Sequence, residues 1–200
     1  MDELTTSDPA ALTERLRGLD RARRSAFAAA CAESIFALFE IAVRTTGDGD
    51  APLLRRILDA VWDAVDGGPG SGLDGAEARA AAQVPDEDAV AWTPGHALAQ
   101  NVAASVAYAA RTWTADDAGS ACWAAHQVLE LVDFIETNEL ASNGESSGPG
   151  PGMRDGGRLV AVALGHVEAL LDQVESPGFA ASVARAQAEA FGAGLLSALA

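Results

Sequence analysis

The chain has 200 residues and a formal net charge of -16, from 29 acidic and 13 basic side chains. A surface this negative repels phosphate backbones and anionic lipid, so it argues against nucleic-acid and membrane-surface partners. With 49% hydrophobic and 21% charged residues the sequence can bury one domain's core. Alanine dominates, lysine is absent, and every basic residue is an arginine.

In chain order, Asp8 followed by Pro9 makes a helix cap with proline at the first helical position, opening a short helix to about Arg17. A long helix from about Asp20 to Thr46 follows and ends at Gly47. Phe27, Cys31, Ile35, Leu38 and Ala42 make one apolar face, which Phe36, Phe39 and Val43 widen. Glu33, Glu40 and Arg44 form a thin polar line. A helix apolar over most of its circumference is enclosed by neighbours, which places this one at the centre.

Asp50 caps a third helix through Val65, with Leu54, Ile57, Leu58, Val61 and Val65 facing in. The glycine run 67–72 forbids regular structure, and a short alanine-rich helix from about Asp74 to Gln83 leads into VPDEDAVAW. Thr93 and Pro94 open the next helix, whose inner line is Leu98, Val102, Val106, Ala109 and Trp113. Thr114, with Asp116 and Asp117 in its first turn, opens another to about Leu140. Residues 142–157 are rich in glycine, proline and serine and predict a flexible loop. Beyond it, Arg158 to Val174 forms a helix, and Ser176-Pro177 caps a last one carrying Phe179, Val183, Phe191, Leu195 and Leu199. Two helices seldom bury enough surface alone, so this pair packs back on the rest.

No run has strand alternation. The expectation is all-α, a single domain over residues 1–200, built as one bundle of about seven helices around a central buried helix. No stretch reaches the roughly eighteen uninterrupted apolar residues of a membrane span. The start, MDELTTSDPA, is acidic where a secretory signal is basic, which points to a cytoplasmic protein. There Cys31 and Cys122, with no CxxC, read as small buried hydrophobes.

The segment RRSAFAAACAESIFALFE resembles the first long helix of the YjaG-like bacterial family, domain of unknown function 416. Arg23, Arg24, Phe27, Cys31, Ala32, Glu33, Phe39 and Glu40 carry that resemblance. The PDED loop, Pro85 to Asp88, and VLELVDFIE, Val128 to Glu136, extend it over most of residues 12–140. The resemblance implies an all-helical fold and supplies no catalytic residues.

The chemistry-bearing side chains form no recognisable motif. His96, His126 and His166 are far apart. His126, Glu130 and Asp133 share a helix face, but Glu-x-x-His is missing, and a solvated face is the simpler reading. There is no G-x-S-x-G, and the glycine-rich loops lack a P-loop lysine. No catalytic, cofactor or metal site is therefore expected. One constellation remains: Asp86, Glu87 and Asp88 lie shortly before Trp92 and His96, acids and an aromatic suited to a cationic or peptide partner. The sequence reads as an interaction or regulatory module without catalysis, with a protein partner. The alternatives are an enzyme whose carboxylates converge from several helices, or an acidic decoy occupying a basic partner's nucleic-acid site.

Overall fold

A computed structural model describes residues 8–198 apart from 87, 89, 90 and 145–156. Among these residues eight α-helices and no strand are present: α1 (Pro9–Arg17), α2 (Arg21–Thr46), α3 (Ala51–Val65), α4 (Ala76–Ala81), α5 (Pro94–Ala115), α6 (Ala118–Gly144), α7 (Arg158–Glu175) and α8 (Ala181–Ala198). The all-α expectation holds. The glycine run is not wholly irregular, since Ser71–Leu73 closes a short 3-10 turn that seals Leu73 in the core.

The centre is α2, against which α3, α5, α6, α7 and α8 all pack. Ala26, Ala28, Ala29, Ala30 and Ala32 are fully buried, so neighbours lie close on every side. Gly192 of α8 marks a close backbone approach: a Cβ there would stand 2.9 Å from the Ser34 carbonyl oxygen. By length and composition α2 could cross a membrane, but 78% of its most apolar window is buried in this fold. That makes it a core helix.

The helix ends follow local chemistry. The carboxylates of Asp8, Asp20 and Asp50 accept from Ala10, Arg23 and Leu53 N–H at 2.8 to 2.9 Å. Gly47 closes α2 at φ +80°, where a side chain would be strained. Two helix caps differ from the sequence reading. Thr114 belongs to the last turn of α5, its hydroxyl donating to the Ala110 carbonyl. The cap of α6 is Asp117, which accepts from Gly119 N–H, Ser120 N–H and the Ser120 hydroxyl. The Ser120 hydrogen bond leads in holding that carboxyl below its ordinary range. Ser176-Pro177 likewise does not cap α8; Ser176 ends α7, and a separate turn through Phe179 intervenes before Ala181. Val183 is accordingly exposed.

Helix α7 is capped by side chains from elsewhere. At its start Glu136 of α6 accepts from Gly157, Arg158 and Val160 N–H. Desolvation alone would raise this carboxyl, but the backbone donors together outweigh it and hold it low. At its end Arg23 of α2 donates to the Val174, Glu175 and Ser176 carbonyls. Arg15 of α1 also pairs with Glu168, Asp172 and Glu175. The helices after residue 157 are thus tied back to the bundle by charge-assisted bonds as well as by apolar burial. Most of the predicted loop, residues 145–156, lies outside the described residues; 142–144 continue α6, and Gly157 is the N-cap residue of α7.

Candidate functional site

Helix α5 has two working faces. Val102, Val106 and Ala109 face the core, as their spacing predicts. The other face presents Ala97, Gln100, Asn101, Ala104, Ala107 and Tyr108, again at helical spacing. Across from it α6 presents Gln127, Glu130 and Phe134, and Glu77 and Ala81 of α4 close one side. Because the α5 residues at positions 97, 104 and 107 are alanines, the space between these helices is not filled. The result is a cleft of about 690 Å³, with Trp92 on its rim.

Its lining is apolar with a few polar groups. Gln127 is 8% exposed, and its amide donates to Glu130 Oε2 at 3.3 Å. Asn101 Nδ2 is occupied by the Ala97 carbonyl at 2.9 Å. Glu77 meets Arg111 at 3.4 Å. Tyr108 stacks on Trp123, ring centroids 6.4 Å apart, and Trp123 in turn leans on His126 at 5.3 Å. Trp92, on the rim, is 40% exposed, and Trp123, which stacks on Tyr108 from outside the lining, is 52% exposed. The buried Nε2 of His126 has no hydrogen-bond partner.

The predicted loop partly converges here. Asp86 and Asp88 are exposed, and the Asp88 N–H donates to the Asp86 carboxylate at 3.0 Å. Glu87 lies outside the described residues. Trp92 lines the cleft with its ring 5.6 Å from that of His96. His96 itself is buried: its Nδ1 accepts from the Thr93 N–H at 3.1 Å, a histidine version of the capping box. The ring proton of the neutral form then sits on Nε2, which is sealed, without a hydrogen bond, 3.8 Å from an Asp48 carboxylate oxygen.

The other chemistry-bearing groups are built into the core. The sequence pattern put Glu33 on a polar line with Glu40 and Arg44; the structure buries it to 7% exposure while leaving those two exposed. Arg55 grips both Glu33 oxygens at 2.8 and 3.0 Å, the Trp62 indole donates at 3.1 Å, and Arg185 approaches at 3.6 Å. Arg185 also reaches Asp59 at 2.7 Å, so one network joins α2, α3 and α8. His166 Nε2 lies 2.7 Å from the Ser34 hydroxyl, which donates to the Ala30 carbonyl, and the His166 ring stacks on Phe191 at 3.9 Å. Burial pushes His166 down to about 4, so it is neutral at ordinary pH. The thiols of Cys31 and Cys122 are free, buried and pushed up by desolvation, as small core hydrophobes are. Of the face His126, Glu130 and Asp133, only Glu130 lines the cleft; among the described residues no three such groups are placed to hold a metal ion.

No signal in the apolar pattern marks the cleft directly. The second helical line of α5, alanines alternating with amides and ending at Tyr108, is the trace it leaves in the sequence.

No family profile matches the chain, and no curated protein matches it. A solved structure does: a DUF416 family protein from Shewanella baltica OS155, with a TM-score of 0.63 over 90% of this chain and 92% of that one, at 14% identity. The chain therefore has the fold of a protein from the family that its central helix, PDED loop and VLELVDFIE segment resemble.

Proposed function

We propose that this chain is a binding module that works without catalysis, its working surface being the cleft between α4, α5 and α6. The observation that carries this reading is the combination at one opening of exposed Trp92 with the rings of Tyr108 and Phe134 and with Gln127, an amide 8% exposed. Aromatic walls supply affinity and a few placed amides supply orientation, which is how ligand and hot-spot surfaces are made. The volume falls in the range of roughly 300 to 1,000 Å³ typical of small-molecule sites. Elsewhere Glu33 is committed to two arginines, Ser34 to His166 and Cys31 to the core.

The test is thermal-shift screening of a mixed library of metabolite-sized compounds against the native chain and Ala104→Phe, which puts a ring into the cleft. Compounds that raise the melting temperature of the native chain should lose that effect in the variant. Equal shifts in both proteins would place binding elsewhere and remove the cleft from the hypothesis.

A further inference from the structure

Charge decides what such a cleft takes. Its lining carries two carboxylates, Glu77 and Glu130, and no arginine. Arg111 stands outside it and pairs with Glu77, also lying 3.8 Å from Asp117. Glu77 is therefore largely neutralised. Among the described residues Glu130 has no cationic partner; its neighbour is a neutral amide, Gln127 at 3.3 Å. The chain as a whole is at -16, so the field at the opening attracts cations and repels anions. The rings at the same opening, Trp92, Tyr108 and Phe134, offer faces that bind cations best when the cation is large and weakly hydrated.

We infer that the cleft is a site for a small organic cation, an alkylammonium whose apolar part lies along the aromatic walls with Glu130 as counter-ion. An inorganic cation does not fit this arrangement, because it would need several converging oxygen ligands, and the described residues place no such group. A carboxylate or phosphate ligand would face Glu130 with no arginine in the lining to receive it. The inference rests on the cleft being the binding surface, and the experiment separates the two.

Choline and its neutral isostere 3,3-dimethylbutan-1-ol are titrated into the native chain, watched by the indole N–H resonances in a two-dimensional NMR spectrum. Trp62, buried and donating to Glu33, serves as the internal control. Choline should move the Trp92 signal saturably, with the isostere binding at least about fivefold more weakly, the scale of one cation–π contact with its counter-ion. Glu130→Gln should weaken choline by a further factor of about three to ten, whereas Glu77→Gln should change it by less than about twofold, since an arginine already compensates that charge. Glu130 is exposed, so the folded variant is obtained readily, and an unchanged Trp62 signal verifies it. Equal binding of choline and the isostere, abolished by Ala104→Phe, would sink the cation while leaving the cleft standing. Failure of choline to saturate the Trp92 signal, or indifference to Glu130→Gln, would also overturn the inference.

Discussion

The two sides of the bundle treat polar and aromatic groups in opposite ways. Where α2 meets α3, α7 and α8, polar side chains are engaged across helices: Glu33 between arginines, His166 on Ser34, Arg23 on the end of α7, with Ser25 Oγ and Glu168 Oε2 buried without a hydrogen bond. Aromatic rings there are stacked or covered, with Arg55 held 3.8 Å over Phe36. Where α4, α5 and α6 meet, two tryptophans face solvent, the buried Nε2 of His126 lacks a hydrogen-bond partner, and alanines stand where larger side chains would close the packing. Hydrogen-bonded polar networks rigidify a fold, whereas unfilled aromatic openings carry a cost that a bound molecule can offset. The first side holds the chain together; the second is the surface that the proposed binding would use.

The comparison breaks most visibly in the core. Phe39 is fully buried on α2, and Phe39→Ala should cost about 3 to 5 kcal/mol, because no neighbour can collapse into the space. Equilibrium unfolding in urea measures it, and a loss below about 1 kcal/mol would show α2 to be less enclosed than the packing implies. The next effect is a pH dependence. Unfolded, an imidazole takes up its proton near 6.5; folded, His166 takes it up only near 4. The unfolded chain binds more protons throughout that window, so stability falls as pH drops from 6.5 to 4, by about 3 kcal/mol in total. Glu136, held below its ordinary value of 4.5, adds a loss in the same direction as it protonates under still more acidic conditions. His166→Gln should flatten the part of the stability curve between pH 6.5 and 4; a curve that keeps its slope would assign the effect to other groups.

The side around α2, α3, α7 and α8 was largely legible in the sequence. Caps at Asp8 and Asp50, the end at Gly47 and the wide apolar face of α2 are local signals, and the structure follows each. Failures occurred where local patterns conflict with distant partners. Glu33 reads as solvated because nothing nearby in sequence announces Arg55 and Arg185, 22 and 152 positions away. Ser176-Pro177 carries a genuine cap signature, but Arg23 from α2 collects the carbonyls at 174–176 and makes that stretch the end of α7. The cleft was half legible. Trp92 and the acids before it were visible as a constellation, yet the opposing wall from α6 is a tertiary fact that helical periodicity does not encode.

On the open side, mutations should spare stability and change binding. Trp92→Ala removes a ring that is 40% exposed and rests on His96, so it should cost less than about 1.5 kcal/mol while reducing choline binding by about tenfold. The two measurements sharpen the comparison together. A stability loss approaching that of Phe39→Ala would make Trp92 a core residue that is partly visible, and the distinction between the two sides would fail at its clearest point.

The smallest effect belongs to the acids before Trp92. Asp86 and Asp88 are exposed, and the one hydrogen bond between them uses the Asp86 side chain as acceptor, which asparagine preserves. Asp86→Asn with Asp88→Asn should therefore change stability by less than about 0.5 kcal/mol. Neither side chain lines the cleft, so their effect on a cation there travels through solvent and is screened over roughly 10 Å at 0.1 M salt. Choline affinity should fall by about twofold at low salt and be indistinguishable from native at about 0.5 M, where the screening length is shorter still. Titrations of both proteins at the two salt concentrations decide the matter. A difference that persists at high salt would mean the acids touch the ligand, extending the site from the cleft onto the loop; no difference at either concentration would confine recognition to the aromatic walls and Glu130.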